Sequence, residues 1–312
     1  MAARIRPNVL QMTPYSPGKP VEEVKRELGL DRVVKLASNE NPLGPSPKAV
    51  AAVQEAATRM HIYPDGSAHN LRTALSAKFG LPTNQILVGN GSDELIHLLG
   101  LILLDEDSEM LMADPSFSRY DAAAHLAPAK LVKVPLDADY RHDLPAMAKA
   151  VTDRTKLVWI ANPNNPTGTV VKEQEFSQFL HDIPVDTIVV LDEAYYEFAM
   201  GVEGYPDSVE YIKAGWPNVV GLRTFSKAYG LAGIRVGYGF ASPVVADAIE
   251  RAREPFDVNA LAQVAAVAAL DDDEHIQKTV ELNRRGLETL AQAFKEVGAK
   301  PLESYANFMY AD

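Results

Sequence analysis

The chain has 312 residues, 47% hydrophobic and 23% charged, an ordinary globular composition that suits one large α/β domain or two unequal ones. Its net charge of −12 argues against a general nucleic-acid binder and against adhesion to anionic membranes, because both need a basic surface; an anionic small ligand in a local basic pocket stays open. The absence of cysteine excludes disulfides, thiolate catalysis and cysteine-ligated zinc.

Residues 1–45 are rich in proline and lack clear periodicity, so an arm or linking strand is expected there. The opening MAARIRPNVLQMTPYSPGKP has no apolar region followed by a cleavage site, and the expected compartment is the cytoplasm. QILVG (85–89) reads as a strand and SDELIHLLGLILL (92–104) as a helix capped by Ser92 or Asp93. The longest apolar run, Leu95 to Leu104, is interrupted by His97 and is far too short for a membrane span. EMLMA (109–113) reads as a strand and SFSRYDAAAHLA (116–127) as a helix. AKLVKVPL, KLVWIAN, TIVVLDEA, NVVGLRTF and RVGYGFAS are further strand candidates, while KEQEFSQFLHDI (172–183) and PVVADAIERARE (243–254) are helix candidates. From Ala260 to about Gly298 the pattern is helical, and NFMYA near the end is a short strand candidate. Such alternation predicts an α/β fold with a mainly parallel central sheet sandwiched by helices. The expected division is an arm at 1–45 that joins a small domain, a large domain at 46–245, and the rest of the small domain at 246–312.

Four segments carry chemistry, each just past an expected strand. GNGSDE (89–94) can turn tightly at its glycines and offer helix-start N–H groups to a phosphate; alone, it reads better as a capped turn with no ligand. It lacks the full G-x-G-x-x-G dinucleotide pattern. NPNNPTG (162–168) fixes an irregular turn at a strand's carboxyl end, where open α/β sheets bind ligands, although such composition is common in turns. DEAYYEF (192–198) could bind a metal or hold a cationic ring nitrogen, or be a solvated strand end. The seven histidines form no HxH or HExxH pair, so no metal is expected. In TFSKAYGLAGIR (224–235), a partly desolvated Lys227 could act as a nucleophilic amine, while most lysines are only surface charges. Together the four supply a phosphate cradle, a polar turn, a carboxylate, an amine and an arginine. Those are the parts that hold pyridoxal phosphate.

The sequence resembles the fold-type I pyridoxal-phosphate aminotransferases, and within them the histidinol-phosphate aminotransferase family. The matching stretches are PYSPGKP, KLASNENPLGPSPKA, YPDG, GNGSDELI, NPNNPTG, DEAYYEF and TFSKAYGLAGIRVGY, which span residues 14 to 238 in the family's order. The resemblance implies that Lys227 bonds the coenzyme's aldehyde and moves the proton at the substrate's α-carbon. It implies that Asp192 pairs with the pyridinium nitrogen, that Asn165 and Tyr195 hydrogen-bond the phenolic oxygen, and that Phe117 stacks on the ring. Ser92 and Asp93 would hold the phosphate through backbone N–H groups, with Thr224, Ser226 and Arg235 adding side-chain contacts. Tyr63 would reach a neighbouring subunit's phosphate, which implies a homodimer, and Tyr15 and Asn41 would lie near the substrate. The glycines after Lys227 would let the backbone pass close to the coenzyme.

The implied reaction is amino transfer between histidinol phosphate and 2-oxoglutarate, giving imidazole-acetol phosphate and glutamate, in histidine synthesis. Aromatic amino-acid aminotransferases and phosphothreonine decarboxylases share most of these motifs, and a coenzyme-binding remnant with impaired catalysis is a third alternative. The family continues beyond the stretch matched by Ala306, Asn307 and Phe308, with an arginine that receives the substrate's acidic group. This chain stops at Asp312, so an incomplete small domain is expected, and Arg284 and Arg285 lie in a helical stretch well before that position.

Overall fold

The computed structural model describes residues 4–10, 12–14 and 18–312. One seven-stranded sheet organises them. Its strands are β1 (Ile86–Gly89), β2 (Glu109–Asp114), β3 (Lys130–Pro135), β4 (Thr155–Ala161), β5 (Ile188–Asp192), β6 (Val219–Thr224) and β7 (Gly237–Phe240), in the spatial order β1-β7-β6-β5-β4-β2-β3. The pairings from β3 through β6 are all parallel, and β7 runs antiparallel to both β6 and β1. Parallel strands covered on both faces must be apolar on both, which is why VWIA, IVVL and VVGL read as unbroken runs.

Side chains alternate across the sheet. Leu87, Met110, Trp159 and Val190 enter one core with the helices Ser92–Leu103, Arg119–Leu126 and Pro243–Ala252. Leu111, Val158 and Val189 enter another with the helices Leu144–Ala150 and Glu173–Asp182. Ile86, Val88, Tyr238 and Phe240 face a third core, closed by the helices Pro47–Ala56, His69–Phe79 and Ala260–Leu270. The last of these helices lies beyond residue 245 in sequence yet packs against Pro47–Ala56 and His69–Phe79.

Several local expectations change. The proline-rich arm contains a helix, Val21–Leu28, with glutamates in its first turn and basic residues in its last. Gly91, not Ser92 or Asp93, is the residue that precedes the helix Ser92–Leu103, because its φ of 82° suits glycine. The helical stretch after Ala260 is broken at Asp271 and Asp272, where Asp272 caps the helix Asp273–Glu296 by accepting from His275 N. Asp272 also accepts from Ser46 Oγ at 2.5 Å, tying this break to the start of Pro47–Ala56. NFMYA is not a strand. It contributes only a single bridge, Ala311 to Pro301.

The topology brings one sheet edge to a common line. Gly89 ends β1, Thr224 ends β6, Asp192 ends β5, and Gly237 begins the reversed strand β7 opposite both Gly89 and Thr224. All four chemical segments leave or enter the sheet along this edge, where open α/β sheets bind ligands.

Candidate active site

At one end of the site the first turn of Ser92–Leu103 presents N–H groups that have no intrahelical acceptor. Two glycines shape this end. A Cβ on Gly91 would lie 2.5 Å from Arg235 Nη2, and a Cβ on Gly237 would lie 2.2 Å from Ser92 N. Only bare backbone lets the helix start, the guanidinium and β7 converge. Arg235 itself adopts φ of 59°, a left-handed conformation that costs a non-glycine residue energy and that recurs at functional positions. Its Nη1 donates to Ser226 Oγ at 3.4 Å and to Ala232 O at 3.2 Å, while Nη2 lies 3.6 Å from Asp93 Oδ2. The Asp93 carboxylate also faces Arg119 at 3.6 Å. The buried Thr224 Oγ1 accepts from Ser226 N at 3.1 Å, which fixes the turn that leads to Lys227. Helix N-terminus, guanidinium and hydroxyls together form an anion cradle.

Asp192 ends β5 and is buried. Burial pushes its carboxyl up to about 6, against the Tyr120 hydroxyl and the Ala194 N–H that pull it down. Tyr120 Oη donates to Oδ2 at 2.6 Å, and Ala194 N donates to Oδ1 at 3.1 Å. Tyr120 was not foreseen from sequence. It stacks on Trp159 at 4.5 Å and meets the edge of Phe117 at 5.6 Å, so Phe117 is placed beside the residue that holds Asp192. The spacing of Phe117 and Tyr120, three residues apart, was the available signal.

Lys227 is half-buried, and burial pulls its amine below the ordinary lysine range, opposed by the charges of Glu40 and Asp93. Its Nζ donates to Ser38 O at 3.0 Å and lies 5.8 Å from the centre of the Tyr195 ring. The Tyr195 hydroxyl accepts from Asn165 Nδ2 at 3.2 Å and from Asn39 Nδ2 at 3.0 Å. Asn39 was also missed, although it stands in the quoted SNEN stretch.

Asn41 is a clamp: its Nδ2 donates to Ala228 O at 2.9 Å and Thr279 Oγ1 at 3.0 Å, and its Oδ1 accepts from Leu43 N at 2.9 Å. It thereby positions the residue next to Lys227. Tyr63 is 80% exposed and stacks on Phe256 at 4.8 Å. Tyr15 lies outside the described residues. Arg284 and Arg285 pair with Glu281, and Arg284 also with Glu288, on the exposed side of the last helix. Of the glycines after Lys227, Gly233 has open space where a Cβ would stand, while Gly230 is packed against backbone. A Cβ on Gly230 would lie 2.2 Å from Gly44 O, so this glycine lets the NPLG turn pack onto the lysine loop.

The residues present fit pyridoxal phosphate. A buried carboxyl with no ion pair among the described residues, a lysine amine shifted toward neutrality, a phenol and an anion cradle share one edge of the sheet. They match the ring nitrogen, aldehyde, phenolic oxygen and phosphate of that coenzyme.

Comparison with known proteins agrees. The family model "Aminotransferase class I and II" matches residues 31–311. The chain is 50% identical, over 99% of its length and 80% of the relative's, to a histidinol-phosphate aminotransferase of Moorella thermoacetica. It is 48% identical, over 99% of its length and 84% of the relative's, to one of Anaeromyxobacter sp.. Its fold superposes with a TM-score of 0.91 on the crystal structure of histidinol-phosphate aminotransferase from Sinorhizobium meliloti in complex with pyridoxal-5'-phosphate, at 29% identity, covering 100% of this chain and 83% of that one. The family-model match over residues 31–311 and these relatives, aligned over nearly the whole chain, place the protein in the class I and II aminotransferase family, on its histidinol-phosphate aminotransferase branch.

Proposed function

We propose that this chain transfers an amino group between histidinol phosphate and 2-oxoglutarate, giving imidazole-acetol phosphate and glutamate, as a step of histidine synthesis. The observation that carries this is the meeting, at one sheet edge, of Asp192 at the end of β5 with the loop from β6 to β7 that holds Lys227 and Arg235, in a chain 50% identical to a histidinol-phosphate aminotransferase. When bound, pyridoxal phosphate supplies an aldehyde that bonds amines and a ring that takes up the electron pair left by a departing proton.

The chain's own residues divide the remaining work. Arg235, Ser226, Thr224 and the N–H groups of Ser92 and Asp93 would hold the phosphate. Asp192, buried and held by Tyr120, would place a negative charge at the ring nitrogen and favour its protonated form. Tyr195, with Asn165, would hydrogen-bond the phenolic oxygen, and Phe117 would stack on the ring. Lys227 would hold the coenzyme's aldehyde, and its amine, kept below the ordinary lysine range by burial, would serve as the general base at the substrate's α-carbon. The two half-reactions alternate, so ping-pong kinetics are expected.

The exposed Met60, Ile62 and Tyr63 lie together beside an open groove lined by Ala52, Ala260 and Val267. This supports a homodimer in which Tyr63 serves the neighbouring subunit's phosphate. No helix among the described residues is long and apolar enough to cross a membrane, in keeping with the proposed cytoplasmic location. Steady-state rates with histidinol phosphate and with phenylalanine, each with 2-oxoglutarate as acceptor, test the assignment. Higher kcat/KM with histidinol phosphate is expected. Preference for phenylalanine would move the chain to the aromatic aminotransferases.

A further inference from the structure

We propose that Asn39 and Asn307 are positioning residues that set the Tyr195 hydroxyl for its work on the coenzyme, a role that rests on the coenzyme site described above. The two lie 268 residues apart in sequence. Asn307 Nδ2 donates to Asn39 O at 2.9 Å, and Asn39 Nδ2 donates to Tyr195 Oη at 3.0 Å. The same oxygen accepts from Asn165 Nδ2 at 3.2 Å. Two amides thus converge on the Tyr195 hydroxyl and fix its place beside the Lys227 amine.

The backbone around Asn39 is held under strain for this purpose. Ser38 and Asn39 have φ of 73° and 53°, two consecutive left-handed residues without a glycine. Such a conformation persists only when its surroundings over-determine it. Here they do. Lys227 Nζ donates to Ser38 O, and Asn307 holds Asn39 O. The strain aims one carbonyl at the lysine and one amide at the tyrosine.

The far end of the relay is equally fixed. Tyr305 N donates to Gly168 O at 2.8 Å, at the end of the NPNNPTG loop that carries Asn165. Asn283 Nδ2 donates to Ala306 O at 3.0 Å, and Phe308 sets its ring edge-on to Tyr195 at 5.1 Å. Residues 305–308 therefore reach Tyr195 three ways: through Asn39, through the Asn165 loop and through direct ring contact.

The test is a pH titration of the visible band of the lysine-bound coenzyme, read in the loaded protein without substrate. Asn39→Ala and Asn307→Ala are each expected to raise the midpoint, Asn39→Ala by about 0.5–1 pH unit, the worth of one hydrogen bond. The double variant should shift no further than Asn39→Ala. In a Tyr195→Phe background, Asn39→Ala should shift nothing. Asn39→Gly, which suits the left-handed backbone, should reproduce the Asn39→Ala shift and serves if the alanine variant folds poorly. An unmoved midpoint in Asn39→Gly, or an equal shift with Tyr195 absent, would overturn the positioning role while leaving the coenzyme site intact. Failure of the unmodified chain to form the band at all would overturn the site itself, and this role with it.

Discussion

At the scale of single residues, the site is defined by ionisable groups held away from their ordinary behaviour. Asp192 titrates near 6 in the coenzyme-free chain because burial outweighs its two hydrogen bonds. A protonated Asp192 cannot pair with a pyridinium. In a Lys227→Ala background, where no covalent bond contributes, the affinity for pyridoxal phosphate should fall about tenfold between pH 8 and pH 5. Adding Asp192→Asn should flatten that part of the profile, and equilibrium dialysis reads both. Tyr120→Phe removes a donor that lowers the Asp192 pKa, so the pH at which affinity is lost should move upward. Lys227, Asp192 and Arg235 were legible in the sequence because each sits in a short motif beside a strand. Tyr120 and Asn39 were not, because their roles are made by tertiary contacts with Asp192 and Tyr195, 72 and 156 residues away.

Among elements, the strands were easy to read and the connecting helices were not. Val158, Val190 and Val220 are fully buried in runs that are apolar throughout, a signal that needs no register. Pro47–Ala56 (PKAVAAVQEA) and His69–Phe79 (HNLRTALSAKF) went unremarked, because alanine-rich or mixed segments mark no strong apolar stripe. NFMYA had strand composition but found only a single bridging partner. The loop between β6 and β7 depends on close packing that sequence does not announce. Gly230→Ala would need φ of 71° and would drive a methyl into Gly44 O, so a loss of about 1–3 kcal/mol is expected from urea unfolding at unchanged m. Behind β5 and β6, the fully buried Arg223 donates to Glu193 at 3.0 Å and Asp207 at 2.7 Å and lies over the Tyr196 ring at 3.3 Å. Arg223→Ala leaves Glu193 buried without its cation, and a loss of about 3–5 kcal/mol is expected in the same assay.

For the molecule as a whole, the edge that gathers the proposed coenzyme-binding residues also gathers buried carboxylates, and stability should depend on pH accordingly. Burial raises Glu197 from 4.5 to about 7. A carboxyl whose pKa is higher folded than unfolded binds its proton more tightly in the native state. Its penalty is therefore absent below the unfolded pKa, grows as pH rises through the window, and is complete above the folded value. Glu197→Gln should gain stability over the unmodified chain as pH rises from about 4.5 to 7, levelling off at roughly 3 kcal/mol. Urea midpoints across that range would check both sign and window. The most direct measurement is the absorption spectrum of the purified chain with pyridoxal phosphate, before and after addition of histidinol phosphate. Expected is the visible band of the lysine-bound coenzyme, absent in Lys227→Ala, fading with histidinol phosphate and returning with 2-oxoglutarate. A band that ignores histidinol phosphate would contradict the assigned activity, and the absence of any band would contradict the site built on Lys227, Asp192 and Arg235.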